Sequence, residues 1–77
     1  MFNPDLLGFN LERIQAFYEV YYDKKRTIKI THAIPGKLSV GEIWFIYLRE
    51  NFSKWTLRYA GNIPDMDFGI KILENIK

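Results

Sequence analysis

Trp44-Phe45-Ile46-Tyr47-Leu48 is an unbroken apolar run of aromatic and aliphatic residues, preceded by Glu42-Ile43 and followed by Arg49-Glu50. Read as a helix, it would start at Ser39-Val40-Gly41-Glu42, whose Ser and Glu are spaced as a capping box. Gly41 would then lie in the first turn, and among the five residues after Ile43 Leu48 is the one strong helix former. The run therefore predicts a strand over Glu42–Leu48. Alternation sends its apolar side chains to both faces of a sheet. A chain of 77 residues has few elements with which to cover two faces. A partner protein, a second copy of the chain or a ligand is expected on the second face.

Working back from that run, Thr27-Ile28-Lys29-Ile30-Thr31-His32-Ala33-Ile34 alternates strictly. It predicts a strand with Ile28, Ile30, His32 and Ile34 inward and Thr27, Lys29 and Thr31 outward. Pro35-Gly36 ends it as a turn. Working forward, Arg49–Ser53 is a turn and Lys54–Ala60 a third strand, with Trp55, Leu57 and Tyr59 inward and Thr56 and Arg58 outward. Pro64, Asp65 and Asp67 mark the start of a C-terminal helix, and Met66, Ile70, Leu73 and Ile76 give it a buried stripe. Gly69 weakens that helix by about 1 kcal/mol. The alternation of Phe68, Ile70 and Ile72 keeps a strand open there.

At the other end, Asn10 can cap a helix reaching Tyr22, with Leu11, Ile14, Tyr18, Tyr21 and Tyr22 on one stripe. A strand over Phe17–Tyr22 competes with it, because Phe, Tyr and Val favour strands. The expected fold is a small α+β domain: a three-stranded antiparallel meander with an N-terminal and a C-terminal helix on one face (αβββα). The alternative is a four-stranded antiparallel sheet plus the C-terminal helix. Double-stranded RNA-binding domains share the first order of elements but place lysines at the start of the last helix. This chain has Asp65 and Asp67 there, and no family motif matches.

Composition narrows the function classes. At 48% hydrophobic and 17% aromatic the chain is built to fold as one domain, burying roughly 60–65% of its unfolded surface. Without cysteine it has neither disulfides nor thiolate metal sites. The N-terminus lacks the pattern of a signal peptide, and the longest apolar run is too short to span a membrane. A cytoplasmic protein is expected. The net charge of +2 is unevenly spread: Lys24, Lys25, Arg26, Lys29 and Lys37 stand against Asp23, whereas residues 1–22 are acidic. That polarity is weaker than a dedicated nucleic-acid binder carries.

No cofactor, metal or catalytic motif emerges. His32 is the sole histidine, and catalysis by it would need an acid such as Glu19 or Glu42 alongside. Asp65 and Asp67 are explained by capping, and Pro35-Gly36-Lys37 lacks the rest of a phosphate loop. The expected site is the outer sheet face. Phe45 and Tyr47 would run down its centre, flanked by Lys29 and Arg58, with Lys24, Lys25 and Arg26 as a steering cluster. Against this, the segment Phe2–Phe9 could fold over that face and complete the core. The expected function is a non-enzymatic protein-binding module, an inhibitor or adaptor of the size that viruses and mobile elements encode. Its partner would be another protein or a second copy in a homodimer, with no membrane and no small-molecule substrate. The alternative is single-stranded nucleic acid, its bases stacked on Phe45 and Tyr47.

Overall fold

The computed structural model describes residues 1–15, 17–33 and 43–76. The alternation of Ile28, Ile30 and His32 does set the middle of the sheet. β3 (Ile28–Ala33) is its central strand, with Ile28 and Ile30 buried on one face and Lys29 and Thr31 on the other. β4 (Ile43–Leu48) pairs antiparallel with it, placing Ile30 opposite Ile46 and His32 opposite Trp44. Trp44 and Ile46 are buried with them, while Phe45 and Tyr47 join Lys29 on the opposite face. The expected turn at Pro35-Gly36, Lys37, Ile34 and the strand start at Glu42 lie outside the described residues.

The N-terminal helix expected over 10–22 is absent. That stretch forms two strands, β1 (Asn10–Gln15) and β2 (Tyr18–Tyr22), which pair antiparallel with each other, and β2 pairs with β3. Tyr18, Val20, Tyr21 and Tyr22 are poor helix formers, and as a strand they work on both faces. Tyr21 enters the core, whereas Val20 is buried on the face opposite. With β5 (Thr56–Gly61) beyond β4, the sheet is a five-stranded antiparallel meander in the order β1-β2-β3-β4-β5.

One helix, α1 (Met66–Asn75), packs on the inner face, and the expected C-terminal helix stands. Asp65 caps it, its carboxylate accepting the Phe68 amide at 2.9 Å, with Asp67 in the first turn. The segment Phe2–Phe9 does not cross to the outer face. A 3-10 turn (Pro4–Leu7), capped by the Asn3 side chain, holds Phe2 and Phe9 in the inner core with Trp44, Tyr21 and Ile63. No helix among the described residues is long and apolar enough to cross a membrane.

Two bulges change which side chains face where. In β5 the register slips between Ile46 and Tyr47, so that Tyr59 opposes Ile46 while Leu57 opposes Tyr47. Arg58 is the extra residue. Such a bulge breaks period-two alternation. Leu57 therefore leaves the inner face expected for it and stands 50% exposed beside Tyr47. In β1 the slip falls between Leu11 and Arg13, at Glu12.

Candidate functional site

The outer face of the sheet is a shallow depression of about 290 Å³. β2 supplies Tyr18, Val20 and Tyr22, β3 supplies Lys29 and Thr31, and β4 supplies Phe45 and Tyr47. Arg13 closes one side from β1. Among the described residues no carboxylate lines it.

Cations and rings interleave across this face. The Lys29 ammonium stands 4.5 Å from the Tyr47 ring centre and 5.0 Å from that of Trp55. The Arg49 guanidinium lies 4.0 Å from Trp55 and 5.3 Å from Phe52, and Arg26 lies 4.2 Å from Tyr22. Tyr22 and Trp55 meet at 6.0 Å, tilted by 44°. These distances fall within cation–π range. Desolvation holds the Lys29 ammonium below the usual lysine pKa, and the positive charges of Arg49 and Arg13 push it the same way. No carboxylate among the described residues pairs with it in an ion pair.

The loop that carries Lys24, Lys25 and Arg26 is organised by Asp23. Its carboxylate accepts the backbone amides of Thr27 at 2.8 Å and Ile28 at 3.0 Å, and the Thr27 hydroxyl at 3.0 Å. Arg26 takes a positive φ of 57° and reaches back to Glu12 at 2.7 Å. Its carbonyl accepts Arg49 Nε at 2.9 Å. Lys24 and Lys25 stay exposed and border a separate depression with Leu7, Gly8 and Glu50.

The structure thus brings together Lys29, Phe45 and Tyr47, with Arg26 at the rim over Tyr22. Lys24 and Lys25 stand apart from them. Arg58, expected beside Tyr47, lines a groove between β5 and α1 with Phe68, Lys71 and Ile72 instead, because the β5 bulge shifts it off the outer face. Trp55 was expected inward and stands outward before β5, against Lys29 and Arg49. Arg13, Tyr22, Arg49 and Trp55 are the members that sequence reasoning missed. The alternation Tyr18, Val20, Tyr22 would have shown one of them had 18–22 been taken as a strand.

His32 sits on the other face. Its Nδ1 is 2.9 Å from Glu19 Oε1, and Glu19 lies directly opposite it in the β2–β3 register. The ring stacks on Trp44 at 3.8 Å, 5° from parallel. Glu19 Oε1 also accepts the Tyr21 hydroxyl at 3.3 Å. The acid needed beside His32 is thus present, in a cross-strand cluster that fixes β2 against β3. Among the described residues no three acidic or histidine side chains converge as a metal site.

This cluster has a pH signature. Burial, the charges of Glu19 and Asp5, and the hydrogen bond to Glu19 push Tyr21 up to about 12. An unfolded tyrosine loses its proton near 10. The folded state therefore keeps a proton that the unfolded chain releases above pH 10. The stability that Tyr21 contributes is fully present below pH 10 and is lost as pH rises from 10 through 12. Urea midpoints between pH 9 and 12 should fall less steeply in Tyr21→Phe than in the parent; parallel curves would exclude Tyr21 as the cause.

No protein-family model, curated protein or solved structure matches the chain.

Proposed function

We propose that the chain is a non-enzymatic binding module that captures an acidic, aromatic-containing segment of another protein on its outer sheet face, as an inhibitor or adaptor. What carries this reading is Lys29: a part-buried ammonium in the middle of a sheet, between Tyr47 and Trp55, in a depression that no carboxylate among the described residues lines. Holding Lys29 part-buried beside the positive charge of Arg49 works against the isolated fold. Carboxylates from a partner would relieve that repulsion at close range, in a partly desolvated site. The surrounding Tyr, Trp and Arg side chains are the types that dominate binding energy at protein interfaces.

Single-stranded nucleic acid is the weaker reading. Tyr22, Tyr47 and Trp55 already carry cations against their rings, so stacked bases would have to displace them.

The test uses a short peptide alternating Glu and Phe, its Gln counterpart, and an oligothymidylate. Tryptophan fluorescence reports binding, since Trp55 is on the face while Trp44 is buried on the other side. The Glu peptide should bind and the Gln peptide should not. Lys29→Met should weaken the Glu peptide at least about tenfold, the effect of losing one desolvated charge contact. The same variant should unfold at a urea concentration no lower than the parent's, because it removes a charge that the fold holds at a cost. Equal binding of both peptides, or undiminished binding by Lys29→Met, overturns the proposal. Oligothymidylate binding that falls steeply with salt would establish the alternative.

A further inference from the structure

Among the described residues β1 has a neighbour on one side only, and on the other a row of its backbone N–H and C=O groups faces outward. Edge strands are commonly blunted by charge, by bulges or by being very short. This one has Glu12, Arg13 and a bulge, yet it also exposes two large apolar side chains, Leu11 at 41% and Ile14 at 66%. Three residues apart, they would point to opposite faces of a regular strand. The bulge at Glu12 puts them on the same one: Leu11 opposes Tyr21, and Ile14 opposes Glu19, both inner-face positions. Arg13 opposes Val20 on the outer face. Glu12 is turned the same way, towards Arg26 above the Tyr22 ring.

The strand therefore reads apolar, acid, base, apolar across Leu11-Glu12-Arg13-Ile14, and it is complementary to its own reverse. We infer that β1 pairs antiparallel with β1 of a second copy, about a twofold axis between Glu12 and Arg13, joining two sheets into one. Leu11 then faces Ile14 of the second copy on the inner side. Glu12 faces the second copy's Arg13 on the outer side, and each contact occurs twice by symmetry. The bulge is what makes this register consistent in face, because opposed residues in a ladder must share one. A pairing displaced by one residue would put Leu11 against Arg13 and forfeit both matches. The contact is a sheet edge of modest area, so the dimer belongs to the weaker class of interfaces, with dissociation in the micromolar range.

Sedimentation velocity on the full chain, from about 5 to about 500 µM to bracket that range, tests this. The parent should pass from one to two chain masses. Glu12→Arg sets Arg against Arg twice, and Arg13→Glu sets Glu against Glu twice. Each should weaken self-association at least about tenfold, since like charges directly opposed destabilise a strand pair. The double reversal restores complementarity and should restore the dimer. Mixing the two single variants should give a heterodimer, because one then presents two cations and the other two carboxylates. Ile14→Lys, at a side chain that the lone chain leaves largely exposed, should abolish pairing while leaving Glu12 and Arg13 in place. Circular dichroism verifies that each variant is folded. A parent that stays monomeric at 500 µM, single reversals that dimerise as it does, or a double reversal that does not recover would overturn the inference. Because the contact uses the sheet edge, Lys29→Met should dimerise normally, which separates its failure from failure of the binding-face proposal.

Discussion

Replacing Trp44 with alanine should cost about 3–5 kcal/mol, the range for deleting a large buried aromatic. A chain of this length is stable by only about 4–12 kcal/mol. Trp44 is 2% exposed on an interior strand and is a junction rather than a filler. His32 stacks on one face of its indole at 3.8 Å, and Phe2 meets it edge-on at 4.9 Å and 77°. Removing the indole would leave both without a partner on that side, and Phe2 would lose its place in the core. At ~4–8 °C of melting temperature per kcal/mol, the loss is ~12–40 °C. Trp44→Phe separates size from polarity. The buried indole N–H has no hydrogen-bond partner among the described residues, so phenylalanine forfeits packing but no hydrogen bond there. It should retain most of the stability. Urea unfolding with unchanged m-values measures both; a loss below 1 kcal/mol in Trp44→Ala would mean that the inner core is not organised around this ring.

Gly69→Ala should also destabilise, by about 2 kcal/mol, although alanine is the better helix former by about 1 kcal/mol. Gly69 is buried in α1. A methyl group there would run into Cδ1 and Cε1 of the Phe2 ring. Phe2 is 2% exposed and held against Trp44, so it has nowhere to retreat without breaking that contact. The glycine is a notch that lets the helix approach the ring. Pairing Gly69→Ala with Phe2→Leu should recover part of the loss, because the smaller, more flexible side chain relieves the collision. A coupling energy near zero in that double-mutant cycle would show that the two sites are independent. If Gly69→Ala proved stabilising, the close approach of α1 to Phe2 would be wrong.

Gly69 also shows where sequence reasoning runs out. From the sequence it is a weak point in a helix, since what it accommodates comes from the far end of the chain. Local patterns fared better. The alternation in β3, the extended reading of Trp44–Leu48 and the capped start of α1 were all legible, because each depends on neighbours within a few residues. The stretch 10–22 was misread because its tyrosines satisfy a helical stripe and a strand alternation equally well. What decides between them is the open edge of β3, which β2 satisfies. Bulges defeated the assignment of faces. At Arg58 the period-two pattern falls out of step, so strict alternation sends Leu57 and Trp55 inward and Arg58 outward, whereas Leu57 and Trp55 stand on the outer face. Of the expected binding residues, Lys29, Phe45 and Tyr47 could be grouped because they lie on adjacent, regular strands. Arg13 and Trp55 could not, because helical spacing masks β1 and nothing local marks the bulge in β5.

The meander has a kinetic corollary. Every strand pairs with its neighbour in the chain, so most of the sheet closes through short loops and folding should be rapid for a β-rich protein. Seating Phe2 beneath Gly69 is different: it joins opposite ends of the chain, and its loop-closure entropy favours a late step. Substitutions at that junction would then act mainly by hastening unfolding, while those in the β3–β4 pair would slow the search for the native state. Two lesions of similar equilibrium severity would shorten the life of the folded molecule by different routes.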